Sequence, residues 1–471
     1  MLLEDAAYHE GGLKRALGAL DLTALGIGAI IGAGIFVLTG VAAAKMAGPA
    51  VTLSFVVSGF ACAMAALCYA EFASMIPVAG SAYSYSYATM GELVGWIIGW
   101  DLILEYAVGA AAVAVGWSGY LRVILNGIGI HLPIALANAP GSVPGAIINL
   151  PALLIVLAIT ALLVVGISES ARVNSIIVAI KLTAVAIVIV VGAFFIRPAN
   201  WSPFVPFGWH GIMKGAAVIF FAYIGFDAVS TAAEEVVEPQ RNLPLGIIGS
   251  LAVCTVLYIL VAAVLTGMTR YRTIDVNAPL ASAFVNQGLN FVSAIISLGA
   301  VAGLTSVLLV LLLGQSRIFF AISRDGLLPP VFSRIHPQFR TPYIPTILTG
   351  IAVGITAAFL PIQEIAELTN IGTLFAFVLV CIGVWILRHT DPDRRRPFKT
   401  PLVPVVPILG VLFCGYLMAS LPPLTWKRFF VWLTLGLLIY FTYGRWHSRV
   451  SAAGSGVTPV AKQTTAEATS A

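Results

Sequence analysis

Apolar positions along this chain come in long unbroken runs, not at the spacing of an amphipathic helix or a half-buried strand. The runs are about 20 residues long, the length a helix needs to cross a ~30 Å hydrocarbon core. They predict twelve spans. In the first half these lie near 22–45, 49–76, 93–121, 147–167, 171–196 and 211–235. In the second they lie near 243–267, 290–322, 343–361, 365–388, 404–422 and 426–446. The first run opens only near Leu22, behind Glu4, Asp5, Glu10, Lys14 and Arg15, so no cleavable signal peptide is expected. The Ser-, Ala-, Thr- and Gly-rich tail from Ser451 is expected to be disordered.

Composition agrees and excludes whole classes. The 471 residues are 59% hydrophobic and 10% charged, with mean hydropathy +0.99. A soluble domain carries about 25% charged residues. A soluble enzyme, a nucleic-acid binder and a secreted disulfide scaffold are therefore excluded. The cysteines (Cys62, Cys68, Cys254, Cys381 and Cys414) all sit in apolar runs without metal-ligand or redox spacing, and no metal or cofactor is expected. There is no phosphate-loop motif, so a pump here draws on an ion gradient or another solute. With the N-terminus inside, 16 Lys and Arg fall on the cytoplasmic side and 8 outside, with Lys181 inside a span. The positive-inside rule thus puts both ends in the cytoplasm.

Two spans carry interruptions. Span 1 reads Gly26-Ile27-Gly28-Ala29-Ile30-Ile31-Gly32-Ala33-Gly34-Ile35-Phe36. Each glycine weakens a helix by roughly 1 kcal/mol against Ala. The run fits close helix packing through small residues, or a backbone that unwinds where it lines a cavity. Span 6 reads Phe220-Phe221-Ala222-Tyr223-Ile224-Gly225-Phe226-Asp227, with a glycine and a carboxylate at mid-span. Interrupted helices five spans apart point to an inverted-repeat transporter. At 1.5 Å per residue, Gly32, Phe221 and Lys181 lie ~15 Å deep and Glu105 ~18 Å, all near the bilayer midplane. Unwound Gly32-Ala33-Gly34 would offer N–H groups to a carboxylate. Carbonyls near Ile30, Phe221, Ala222 and Ile224 would accept from an ammonium. Such a site complements the backbone of an α-amino acid.

Lys181 stands alone in Ile180-Lys181-Leu182. A charge at mid-span costs about 2.5–3.5 kcal/mol. It is either a structural bond to a broken helix or a proton switch that stands in for a bound sodium ion. Asp101 and Glu105 share a face of span 3, four residues apart. Glu105, the deeper, either neutralises a cationic substrate or braces the scaffold. Asp227, just past the span 6 break, either carries protons or caps a half-helix. Glu71, Glu234 and Glu235 read as interfacial. The six histidines all sit in tails, loops or span ends.

These segments, with Ser323-Arg324-Asp325-Gly326-Leu327-Leu328-Pro329 and Trp100-Asp101-Leu102-Ile103-Leu104-Glu105-Tyr106, resemble the amino acid–polyamine–organocation superfamily and its cationic amino acid transporter branch. The resemblance runs from about Leu13 to about Arg445. It implies an all-α multi-pass membrane protein with a leucine-transporter-type fold. That fold has a cytoplasmic N-terminus (1–21), two inverted five-helix repeats (22–196 and 197–388), two extra helices (389–446) and a cytoplasmic tail (447–471). It also implies substrate held at Ile30, Gly32, Ala33, Gly34, Glu105, Phe221, Ala222 and Ile224, with Phe221 as an aromatic gate. Lys181, and also Asp227, would be the proton-coupling groups. The implied partners are an L-amino acid, a proton and the bilayer of the cell's inner (plasma) membrane, with no nucleic acid. The branch suggests a cationic substrate, but Thr305-Ser306-Val307-Leu308-Leu309-Val310-Leu311 presents a mostly apolar face, so small neutral amino acids stay open. A proton-coupled amino acid transporter is the reading. An amino acid exchanger and a non-transporting sensor are the alternatives.

Overall fold

The computed structural model describes residues 17–75, 83, 86, 87, 90–166 and 171–448. The segment before Leu17, the expected disordered tail and the side chains of Glu234 and Glu235 lie outside the described residues. Helices meet each of the twelve expected spans. Span 1 is split into Ala19–Ile30 and a second segment that begins at Gly34–Leu38. Spans 2 to 5 are Val51–Met75, Glu92–Gly127, Leu150–Val165 and Ala171–Ala193. Span 6 is split into Gly208–Ile219, a tight turn Phe220–Tyr223, and Phe226–Glu235. Spans 7 to 10 are Pro239–Met268, Asn290–Arg324, Tyr343–Phe359 and Ile362–Thr390. Spans 11 and 12 are Val405–Ala419 and Pro423–Ile439, the latter running on to His447.

In hydrocarbon every backbone polar group needs a partner within the protein, and a helix supplies it internally. Spans 1 and 6 break that rule, so their loose ends need caps from neighbours. The packing supplies them. Span 7 lies against span 2 and the first half of span 1, span 8 runs along span 3, and span 9 packs on span 4. The halves of spans 1 and 6 touch each other at the breaks. Spans n and n+5 are thus in contact for the first four pairs, and the two broken spans meet among spans 2, 3, 5, 7, 8 and 10.

One expectation is corrected here. Glu71 is not an interfacial group: it is buried, 1% exposed, at the end of span 2. Arg388 of span 10 grips it with two hydrogen bonds of 2.9 and 2.8 Å. The backbone N–H of Thr400 adds a third at 2.7 Å. Arg396 Nε lies 3.2 Å from Glu71 Oε1 but is not aligned to donate, so it contributes charge alone. Its guanidinium instead holds carbonyls at the end of span 10 and in the loop after it, at Leu387, Asp391, Pro392 and Arg394. A buried carboxylate persists because these partners replace its water.

Candidate substrate site

Span 1 stops where Ile31 turns to extended backbone, φ −73° and ψ 99°. The chain resumes helical form from Ala33 and Gly34. Residues 32–34 therefore begin a new segment whose N–H groups have no preceding turn to bond. Span 6 opens at Ile224 (ψ 139°) and Gly225, whose φ of +111° suits glycine. The two breaks are in close contact. A Cβ on Gly34 would lie 2.2 Å from Cα of Ala222, and one on Gly225 would lie 3.0 Å from O of Ala29. Only bare backbone at these positions lets the spans meet.

The carbonyls freed at the breaks have named partners. In span 1, Ile27 O still keeps its ordinary helical partner, Ile31 N, at 2.9 Å. Gly28 O accepts from Lys181 Nζ at 2.6 Å, and Ile30 O from Tyr258 Oη at 2.9 Å. In span 6, Ala216 O accepts from Ser58 Oγ at 2.7 Å. Asn370 Nδ2 donates to Ala217 O and Val218 O at 2.7 and 2.8 Å. Ala222 O accepts from the same Tyr258 hydroxyl at 2.8 Å. Spans 2, 5, 7 and 10 thus hold the two broken helices open.

A cavity of about 130 Å³ lies between the breaks. Its wall takes Ile30, Gly32, Ala33 and Gly34 from span 1 and Phe221, Ile224 and Asp227 from span 6. Span 3 gives Glu105, Tyr106, Gly109 and Val113, and span 8 gives Ser306, Val307, Val310 and Leu311. Thr305 turns off this wall and accepts a hydrogen bond from Trp117 at 2.9 Å. Glu105 and Asp227 face the same cavity and are close enough to feel each other's charge, and Thr373 of span 10 lies beside Glu105. Lys181 stands behind span 1, not on the wall. It is 1% exposed, and its stem rests on Gly303 of span 8, where a Cβ would come within 2.8 Å of it.

Ala222 departs from the expected set. It is not on the cavity wall; it packs on Gly34 and turns its carbonyl to Tyr258. The turn 220–223 is wound tightly, about 120° per residue, so Phe221 and Ala222 face different ways. Tyr258, Ser58 and Asn370 were not among the expected site residues. Each is a polar group inside a span, and the freed carbonyls were the reason to look for such groups.

The comparisons with known proteins bear on this geometry. A family model described as amino acid permease matches residues 17–440. The chain is 52% identical over 436 residues to the methylthioribose transporter of Bacillus subtilis, covering 93% of this chain and 95% of the relative. It is 53% identical over 449 residues to the branched-chain amino acid permease BcaP of the same organism, covering 95% and 96%. It is 40% identical over 398 residues to the vacuolar cationic amino acid transporter 4 of Arabidopsis thaliana, covering 83% and 66%. With two broken helices enclosing a midspan cavity in an all-α multi-pass membrane protein, the chain belongs to the amino acid permease family, a family of transporters within the amino acid–polyamine–organocation superfamily.

Proposed function

We propose that the protein accumulates L-amino acids by proton-coupled alternating access in a plasma membrane, with both ends cytoplasmic. The substrate carboxylate meets the N–H groups of Gly32, Ala33 and Gly34, and its ammonium meets carbonyls of Ile30, Phe221 and Ile224. Phe221 closes over it. The halves 22–196 and 197–388 each give one broken span to the site. The observation that carries the coupling is the 2.6 Å bond from Lys181 Nζ to Gly28 O. A charged amine there ties span 5 to the broken half of span 1, and a neutral one releases it. A proton then acts through unequal affinity for the two access states.

A neutral, short or branched side chain fits this cavity best. Its 130 Å³ is close to the roughly 150 Å³ of a cavity that holds benzene, and Val113, Val307, Val310 and Leu311 line it. The name of the branched-chain relative supports the same class. Glu105 and Asp227 on the wall support the second reading, a cationic side chain. Proteoliposome uptake of labelled leucine, alanine, arginine and methylthioribose, with and without an inward pH gradient, separates these readings. Leucine accumulation should require the gradient and should be lost in Lys181→Ala, which keeps leucine binding but not its pH dependence. Accumulation driven by pH alone in that variant refutes the switch. Uptake only into preloaded vesicles makes the protein an exchanger, and binding without flux makes it a sensor.

A further inference from the structure

Asp101 lies one helical turn from Glu105 on span 3, off the cavity wall and toward Glu92. It is 3% exposed. Its carboxylate rests directly on the backbone of span 10: a Cβ on Gly372 would lie 2.6 Å from Oδ1 and 3.5 Å from Oδ2. Among the described residues neither oxygen has a hydrogen-bond partner. The polar groups nearby are turned elsewhere. Gln315 of span 8 donates to Ile103 O at 3.0 Å, and Trp100 donates to Trp432 O of span 12 at 2.9 Å. Thr369 of span 10 donates along its own helix, as does Thr373, which lies against Glu105 and not Asp101.

Among the described residues, charge offers no compensation. On span 10, Glu367 is engaged by Gln363 and Thr425, and Arg388 is held by Glu71 at the far end. Arg317 of span 8 is exposed, and Arg428 of span 12 pairs with Glu364. Glu105 and, across the cavity, Asp227 are acids themselves. An ionised carboxylate with no partner at this depth costs several kcal/mol and breaks the rule that buried charges are paired. The protonated acid carries no such cost.

We propose that Asp101 is a second proton-binding site of the transport cycle, distinct from Lys181: it holds a proton while Gly372 covers it and yields that proton to water when spans 3 and 10 separate. The O–H bond of the acid breaks, the proton passes to one water and leaves as hydronium, and a second water solvates the carboxylate. Glu105, one turn away and on the cavity wall, links the event to the substrate, because two acids so close resist being charged together. The proposal rests on the proton-coupled reading above.

The test counts protons per leucine in proteoliposomes carrying an internal pH dye, for wild type, Lys181→Ala and Asp101→Asn. Asn has the shape of the neutral acid, so this variant should insert and bind leucine, yet move one proton fewer per leucine. Infrared spectra of the substrate-free protein at neutral pH should lose a protonated-carboxyl band in Asp101→Asn. An unchanged proton count overturns the proposal, even where the band is lost, because a proton that never leaves is structural. A change in Asp101→Asn with none in Lys181→Ala supports Asp101 and removes the lysine switch. The reverse pattern removes Asp101 and leaves the lysine switch standing. Should Asp101→Asn fail to fold, Gly372→Ala gives the answer. Its methyl pushes the carboxyl out of cover, so the wild-type carboxyl band should disappear at a lower pH. A band that titrates as in wild type overturns the proposal.

Discussion

Replacing Tyr258 by Phe removes one oxygen and leaves the ring where Phe55 and Tyr223 hold it, each at a centroid distance of 5.4 Å. The lost hydroxyl lies 2.9 Å from Ile30 O and 2.8 Å from Ala222 O. It carries one proton, which the two carbonyls share or take in turn. Removing it strips a partner from the broken ends of spans 1 and 6 at once. A buried group left unsatisfied in a soluble core costs about 1–3 kcal/mol. Inside a membrane the measured loss averages about 0.6 and reaches about 1.7 kcal/mol, because the unfolded chain also finds partners. The smaller range governs here. If the hydroxyl holds the breaks in their binding geometry, this energy reappears in affinity, and the leucine Kd should rise about 3- to 18-fold. Leucine binding to wild type and Tyr258→Phe in lipid nanodiscs, alongside thermal unfolding, measures both quantities. A lower unfolding temperature with an unchanged Kd refutes the reasoning, because Tyr258 would then merely stabilise the fold.

Gly34→Ala should insert normally but lose substrate affinity by about 10-fold or more, the worth of one hydrogen bond to a charged carboxylate, since the methyl meets Ala222 Cα at 2.2 Å and drives the breaks apart. Ligand-induced thermal stabilisation reads this, and wild-type affinity would remove the argument from the paired breaks. Phe221→Ala should lower transport at saturating leucine by opening the cavity to water, and unchanged flux counts against a gate. Arg388→Met should destabilise the protein by about 3 kcal/mol, the low end of the cost of breaking a buried pair, because Arg396 and Thr400 stay beside Glu71. Denaturation in detergent measures it, and a loss below about 1 kcal/mol would make that cluster no stronger than a surface pair.

Hydrophobicity is a local property, which is why all twelve spans could be read from the chain. The breaks were legible for the same reason: Gly32, Gly34 and Gly225 weaken the helix where they stand. The caps were not. Tyr258, Ser58 and Asn370 matter only through which helix they face, and the chain does not state which spans touch. Glu71 read as interfacial because its partner Arg388 is 317 positions away and only the fold brings them together. Ala222 was misplaced for a smaller reason. Its carbonyl was expected to face an ammonium, but Tyr258 of span 7 takes it, a partner that the chain does not state.

The cavity's two recognition surfaces differ in how freely they can change. The surface that meets the invariant part of an amino acid is main chain, held by the close approach of Gly34 to Ala222 and of Gly225 to Ala29 and by two hydroxyls, an amide and an amine from four other spans. Almost any substitution there disturbs several partners together. The opposite surface is one ridge of span 8, Ser306, Val307, Val310 and Leu311, on a helix 35 residues long that needs none of them to stay folded. A methyl added or removed on that ridge is worth only about 1–3 kcal/mol of discrimination, but it leaves the gripping surface intact. Lineages can therefore retune cargo in small neutral steps along span 8 without passing through a broken transporter, so divergence in what is carried should outpace divergence in how it is held.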